Sequence, residues 1–484
     1  MGKVEQIKEE KPKEDAILNK LICATLEGAN AKVIDVEATF TKGLPGFTVV
    51  GLASSDIQES KDRVKSALLT NEFHFPPLKI TINLGPSDLK KSGTHFDLSL
   101  ALLIASNKTK IEQEGLYVFG ELGLDGRVKS SSMLFPIILS LKEQGLIKRA
   151  IVPKEAMEYL AYISGVDFIP VESLLDALRA IKGDIKPQEI ENFSYDAKVL
   201  KVAEDAYYYN SDFKSDFLDI KGQKIAKRAA LIAAAGMHNF LMQGNPGCGK
   251  SMIAKRIIDI LPPLDEKEIL SIAKHQFLDG VLPDFVAKRP MRSPHHTATI
   301  ASIFGGGSVS ARIGEVALAH KGILFFDELP HFSKQTLEAL REPLQESKPC
   351  RCNESEIKRY TNRLSDPFLD RIDIFVTMQE VSKDDSADIS SKEMLEKVLQ
   401  AFVNQKSRAQ ERLNGKLNEE EIERFCLLSI EAQAILESAI AKFALTHRSI
   451  ASIKKVARTI ADLEGAKDIE KPHLLEALSY RRRK

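Results

Sequence analysis

The first periodic signal lies at residues 31–40, where Ile34, Val36, Ala38 and Phe40 alternate with Asp35, Glu37 and Thr39. Period two marks a strand with one buried face. Gly43-Leu44-Pro45-Gly46 reads as a turn, residues 47–50 as a second strand, and residues 78–84 alternate again. Over residues 57–71 the period changes: Ile57, Val64 and Leu68 share one helical face, with charges opposite. Residues 96–105 predict an apolar helix, 118–122 and 149–153 two further strands, and 136–145 a helix between them. Together these predict one α/β domain over residues 21–182. Residues 1–20 alternate Lys and Glu without an apolar core and read as a disordered charged tail. Residues 183–218, with Gly183, Pro187 and the run Tyr207-Tyr208-Tyr209, read as a linker; the tyrosines are either packing residues or a stacking platform.

A second domain is predicted over residues 219–380. An Ala-rich helix at 223–235 leads to the apolar strand Phe240-Leu241-Met242, and a helix over 251–261 stops at Pro262-Pro263. Residues 322–326 are a continuous apolar run, the form of a buried strand, and residues 333–345 an amphipathic helix. Arg371 stands just before another apolar strand. Residues 381–484 end in helices: 430–445 and 450–463 both show three-to-four spacing, and the second, with Arg448 just ahead of it, stops at Gly465. A short helix with Leu474, Leu475 and Leu478 follows.

Between the strand at 240–242 and its helix lies Gly244-Asn245-Pro246-Gly247-Cys248-Gly249-Lys250-Ser251, which fits the phosphate-loop pattern G-x-x-x-x-G-K-[ST]. Glycines let the backbone turn several N–H groups toward a phosphate, and the start of the next helix adds partial positive charge. Lys250 suits the β/γ phosphates and Ser251 suits Mg²⁺. Downstream, Phe325-Phe326 runs into Asp327-Glu328, the form of a Walker B site. There Asp327 would order Mg²⁺ through its water shell and Glu328 would polarise the attacking water. Strand, loop, helix and paired carboxylates together point to ATP and Mg²⁺.

Composition adds bounds. The chain has 484 residues, enough for two or three domains, and is 43% hydrophobic and 28% charged. Lys+Arg and Asp+Glu both number 68, so any nucleic-acid partner must meet a local patch. Five scattered cysteines fit a reducing, cytoplasmic setting, and neither a secretory leader nor a membrane-spanning run is expected.

Several residues leave two readings open. His295-His296 invites a metal site without a third ligand of good spacing; Gly305-Gly306-Gly307 suits the tip of a mobile hairpin. Lys288, Arg289 and Arg292 are either phosphate contacts or ordinary surface charges. Cys350-Arg351-Cys352 is half of a zinc site or two free thiols. Arg371 is either a trans-acting finger on a neighbour's ATP or a salt-bridge partner of Asp370 or Asp373. Arg481-Arg482-Arg483-Lys484 is a solvated end or a weak nucleic-acid contact.

These motifs resemble the YifB/ComM family of magnesium-chelatase-like AAA+ ATPases. The resemblance covers residues 21–464 and rests on Gly43-Leu44-Pro45-Gly46-Phe47, Ile80-Thr81-Ile82-Asn83-Leu84, Phe96-Asp97-Leu98, Pro294-His295-His296-Thr297-Ala298, Phe326-Asp327-Glu328-Leu329-Pro330, Leu340-Arg341-Glu342-Pro343-Leu344 and Ala457-Arg458-Thr459-Ile460-Ala461. It implies a Lon-protease-like α/β domain at 21–182, an AAA+ core of the helix-2-insert clade at 219–380, and a helical lid at 381–484. It also implies that Arg371 is the arginine finger, Arg448 the sensor-2 residue, and the His-His to triple-Gly stretch a pore-facing insert. The function it implies is a homo-hexameric ATPase that moves branched or single-stranded DNA, alongside recombination proteins, in branch migration during natural transformation. A chelatase-like remodeller of a protein partner, without DNA, is the alternative.

Two departures qualify the resemblance. His95 stands roughly where Lon has its nucleophilic serine, and Ser130-Ser131-Ser132 has no lysine to activate it, so a non-proteolytic domain is expected. After Ser347 the family continues with a strand, a sensor-1 Asn and a first Cys-x-Cys, whereas this chain passes directly to Lys348-Pro349-Cys350. ATP binding with poor turnover is the expectation if that piece is truly absent.

Overall fold

β1 (Asn19–Glu27) pairs antiparallel along its full length with β2 (Asn30–Thr41), and the two found the sheet of the first of two compact units, Met1–Ser194 and Tyr195–Lys484. The computed structural model describes residues 19–111, 115–189, 195–306, 313–340, 366–380, 386–443 and 445–481.

Period two places Ile34, Val36 and Ala38 inside, as the sequence predicts. Beyond β2 come β3 (Gly46–Val50) and β4 (Lys79–Gly85), and beyond β1 come β5 (Leu116–Val118), β8 (Arg149–Pro153) and β9 (Asp167–Val171). The order β3-β4-β2-β1-β5-β8-β9 makes one mixed seven-stranded sheet. Several elements lie outside the predicted set. β1 begins at Asn19, so Asn19 and Lys20 of the segment read as a charged tail are strand; residues 1–18 lie outside the described ones. β9 and the helix Leu174–Ile181 follow β8.

The predicted strand over residues 118–122 breaks in two. Only Val118 stays in the large sheet; β6 (Glu121–Leu122) turns away to pair with β7 (Val128–Lys129). The cause is Gly120. Its N–H donates to the His95 carbonyl, its own carbonyl accepts from the Leu98 N–H, and an added Cβ would meet Val128 Cγ1 at 2.6 Å. The bend brings the N-terminus of helix α1 (Asp97–Ala105) against the chain. That helix is apolar all round and buried over eight successive residues from Asp97. Asp97 anchors it: Arg63 Nε donates to Oδ2 at 2.7 Å and the Leu122 N–H at 3.3 Å, and Ser60 Oγ also donates to the carboxylate.

His95 is buried beneath this helix, with its ring 4.6 Å from that of Phe96. Nε2 donates to the Ala24 carbonyl at 2.9 Å, and Nδ1 has no hydrogen-bond partner. Burial pushes its pKa down to about 4, with the Ala24 contact opposing. A folded pKa below the unfolded value of about 6.5 means the unfolded chain binds the proton more tightly. His95 therefore lends the first unit full stability above pH about 6.5 and withdraws it as pH falls toward about 4, by up to about 3 kcal/mol. Calorimetry of the whole chain at pH 7 and pH 5 checks this: one transition should fall on acidification, and His95→Gln should flatten that slope. An equal slope in the variant refutes the assignment.

In the second unit, the stretch read as linker contains a β hairpin, β10 (Lys198–Val202) with β11 (Asp205–Tyr209). The Tyr triplet packs. The Tyr207 ring meets the Phe402 ring edge-on at 4.9 Å, and Tyr208 exchanges both backbone hydrogen bonds with Leu264. Helix α2 (Lys224–Gly236), apolar and almost wholly buried, leads to β12 (Phe240–Gln243). Helix α3 (Lys250–Ile257) follows the loop and passes into a short 3-10 turn before Pro262.

β12 pairs parallel with β15 (Ile374–Thr377), and β13 (Met291–Arg292) pairs parallel with β14 (Ile323–Leu324). Among the described residues no strand joins these two pairs. Instead Leu241 of β12 shares a side-chain cluster with Leu324 and Phe326. Helices α4 (Ser391–Ser407), α5 (Ile430–Phe443), α6 (His447–Leu463) and α7 (Lys471–Ser479) close the chain. α4 and α6 pack on α2, and α7 packs on α6. α4 is absent from the sequence expectations. No helix among the described residues is long and apolar enough to cross a membrane.

Candidate functional site

The loop from Gly244 to Gly249 has the backbone its glycines allow. Gly247 and Gly249 take φ of 82° and 91°, in the left-handed region where a side chain strains the backbone. Gly244 is needed for space as well, since an added Cβ would lie 2.8 Å from the Met378 carbonyl beyond β15. Asn245, Pro246 and Gly247 are exposed; Cys248 and Lys250 are buried. Lys250 Nζ donates to the Gly244 carbonyl at 2.6 Å and to the Asn245 carbonyl, with Cys248 Sγ at 3.4 Å. The ammonium thus lies across its own loop, on carbonyls that a phosphate would replace as its counter-charge.

Across from the loop, Ser251 Oγ is 3.4 Å from Asp327 Oδ2. Asp327 Oδ1 accepts from the Glu328 N–H at 3.0 Å, which turns its other oxygen toward Ser251. Glu328 is exposed and held at φ 50°, an unusual conformation for a residue with a Cβ. A hydroxyl and a half-buried carboxylate at this spacing are the hard oxygen donors Mg²⁺ takes, with water completing its shell. The residues present therefore fit both groups: backbone N–H groups and Lys250 for a triphosphate, Ser251 and Asp327 for Mg²⁺.

Two side chains brace the loop, and one of them, Gln223, is not among the site residues read from the sequence. Gln223 Nε2 donates to the carbonyls of Cys248 at 3.2 Å and Gln379 at 2.6 Å. Asn245 Nδ2 donates to Glu380 at 3.1 Å. Asn245 belongs to the loop motif itself, whereas nothing in residue type alone marks Gln223.

The two arginines lie elsewhere. Arg371 precedes β15, and its carbonyl accepts from Asn239 Nδ2 at 2.7 Å. Asn239 precedes β12, and β12 and β15 run parallel, so Arg371 sits at the end of the strand pair opposite the loop. Of its two candidate salt-bridge partners, Asp373 spends one oxygen on the Asn239 N–H and the other on Ser452 Oγ. Arg448 is exposed in the first turn of α6. The next residue, Ser449, receives Arg481 Nη2 at 2.9 Å, while Arg481 Nη1 donates to the Ile372 carbonyl at 2.8 Å. The structure therefore brings Lys250, Ser251, Asp327 and Glu328 together, and holds Arg371 and Arg448 apart from them.

The remaining candidates resolve one by one. Arg289 is buried against the carbonyls of Pro262, Pro263 and Lys321 and against Glu268. Arg292 pairs with Glu315 and Lys288 with Asp259. All three cations are engaged within the chain. The His295 and His296 rings lie 4.1 Å apart, and among the described residues no group of three metal-ligating side chains exists. Gly305 follows a short helix rather than a hairpin strand; Gly307 lies outside the described residues. So do Ser347 to Cys352 and Arg482 to Lys484. Arg481, read as part of a loose tail, is anchored as described above.

Residues 36–156 match subunit ChlI of Mg-chelatase, and residues 388–481 match the magnesium chelatase subunit ChlI C-terminal model. Magnesium chelatase, subunit ChlI, matches in two pieces, 216–349 and 345–386. Competence protein ComM of Haemophilus influenzae is 35% identical over 497 residues, covering 94% of this chain and 95% of that protein. YifB of Salmonella typhimurium is 36% identical over 503 residues with the same coverage, and YifB of Escherichia coli 34% over 499. This chain belongs to the YifB/ComM family of magnesium-chelatase-like proteins. The family is AAA+-related, in keeping with the phosphate loop and Asp327. The two pieces of the magnesium chelatase match overlap at residues 345–349, around the passage from Ser347 to Lys348.

Proposed function

We propose that this protein is an ATP-driven hexameric AAA+ motor of the helix-2-insert clade. It acts on branched or single-stranded DNA and promotes branch migration and strand integration in recombination during natural transformation. The observation that carries the ATPase reading is Ser251 Oγ at 3.4 Å from Asp327 Oδ2, beside a lysine folded across a glycine-rich loop. Bound there, ATP with Mg²⁺ supplies the bond to be cleaved and most of the charge that must be neutralised. The chain's own residues do the rest. Backbone N–H groups and Lys250 hold the phosphates, Ser251 and Asp327 hold the ion, and Glu328 orients a water and takes its proton.

Arg371 and Arg448 stand at the far end of the β12/β15 pair from the loop. That placement supports both as finger and sensor acting on a neighbouring subunit's nucleotide, which is the reason for an oligomer. The helices after residue 390 serve as the lid. The first unit is read as a Lon-like domain without proteolysis: His95 is buried and offers no nucleophile, and Ser130 Oγ is bonded to Tyr159 Oη rather than to a base. The DNA reading leans on the relationship to the competence protein ComM.

The test is ATPase rate with and without forked DNA, at low and high salt. DNA should raise the rate, with the effect fading as salt rises. A rate indifferent to DNA but raised by a protein partner would favour a chelatase-like remodeller instead.

A further inference from the structure

We propose that Asp373 is a positioning residue that fastens the Arg371 segment to the helix bearing Arg448, so that the two arginines move as one unit. The inference rests on reading both arginines as acting on a neighbour's nucleotide.

The geometry is a set of ties onto one face of α6. Asp373 Oδ1 accepts from Ser452 Oγ at 2.5 Å. Asp373 Oδ2 accepts from the Asn239 N–H at 3.0 Å, and the Asp373 and Ile374 N–H groups both donate to the Asn239 carbonyl at 3.0 Å. One carboxylate thus joins the base of β12, the base of β15 and α6. Arg481 adds a parallel strut from the Ile372 carbonyl to Ser449 Oγ. Farther along the helix, His238 Nε2 and Thr459 Oγ1 are 2.7 Å apart. Residues 449, 452 and 459 fall on one side of the helix at 3.6 residues per turn, and all three are buried. Arg371 lies two residues before Asp373, and Arg448 one turn before Ser452.

The charge states suit a fixed joint. Burial opposes ionisation of Asp373, but the neighbouring His238 ring first, and then the bonds from Ser452 and Asn239, outweigh that and hold its pKa below the ordinary value. Burial pushes the His238 pKa down, against the opposing pull of Asp373. Its Nδ1 lies 3.7 Å from Asp373 Oδ2, outside hydrogen-bond range. The anion's direct bonds therefore come from Asn239 and Ser452, and the second ties the carboxylate to α6. Ordinary cores do not spend a buried carboxylate to hold a helix that apolar packing already seats; directional bonds fix an angle that packing leaves loose.

The experiment uses the full chain with Ser452→Ala, which removes one hydroxyl, and Ser452→Thr, which keeps it. Ser452→Ala should lower kcat about tenfold or more while the KM for ATP moves little, and Ser452→Thr should restore it. Mixing then separates the layers. Lys250→Ala subunits lack a working loop but keep both arginines. Mixed with Arg371→Ala subunits they should recover activity if the finger acts across subunits; failure there sinks the underlying reading. If that mixture recovers and the one with Ser452→Ala subunits does not, the positioning role alone is overturned. Hydrogen exchange gives a readout independent of turnover. Ser452→Ala should deprotect the amides of residues 372–374 and 449–453 together and leave 240–243 unchanged. Deprotection confined to either segment overturns the joint.

Discussion

Lys250→Ala should abolish nucleotide binding at ordinary concentrations. The ammonium is buried and lies on the Gly244 and Asn245 carbonyls, within the curve of the loop. A phosphate entering that curve exchanges two neutral carbonyl partners for an anion. Charge-assisted hydrogen bonds in a sheltered site contribute about 2–3 kcal/mol, a loss of roughly a hundredfold in affinity when the donor is removed. Backbone N–H groups remain, so the loop keeps its shape through Gln223 and through the Met378 N–H, which donates to the Gln243 carbonyl at 2.7 Å. Titration with a fluorescent ATP analogue checks this, beside a melting curve showing that the second unit stays folded. Affinity within about threefold of the parent would mean that the loop is not the phosphate site.

Glu328→Gln should separate binding from turnover. The side chain is exposed, and its N–H already donates to Asp327. The substitution therefore leaves the Mg²⁺ donors in place and removes only the group able to accept a proton from water. ATP affinity should stay within about twofold, while kcat falls on the order of 10²–10⁴. Mixing with ATP should leave a long-lived assembled species, visible by light scattering. Undiminished turnover would place water activation on another residue. The parent rate matters here too. The two pieces of the family match meet beside Ser347, and among the described residues no strand links the β12 and β14 pairs. The resemblance places a sensor residue there that helps position the water, so if that piece is truly absent the parent itself should hydrolyse slowly.

Sequence periodicity captured those parts of the fold that pack on one face. β2 and α2 appear within a residue of their predicted bounds because alternation, or an Ala-rich apolar stripe, reports burial directly. The hairpin of β10 and β11 was not legible for a local reason. Its two-residue turn puts Ala203 at φ 54°, with none of the Gly or Asn that normally announces such a turn. The break after Val118 was hidden because Gly120 acts through a distant close approach to α1, which no window along the chain contains. For the site, the loop and Asp327-Glu328 are written in contiguous residues and were legible. Gln223 and the two ends of the Asp373 joint were not, because their partners lie far along the chain.

Thr446 Oγ1 accepts from the Ser449 N–H and caps α6, which leaves Arg448 in the helix's first turn. A cation there faces the positive pole of the helix, a frustration of roughly 0.3–1 kcal/mol. No acidic residue occupies the first turn of α6 to offset it. An anion delivered to Arg448 would meet guanidinium and helix pole acting in concert and would relieve their mutual repulsion. The folded chain thus carries a small electrostatic prestress at this position, and docking a neighbour's phosphates would release it.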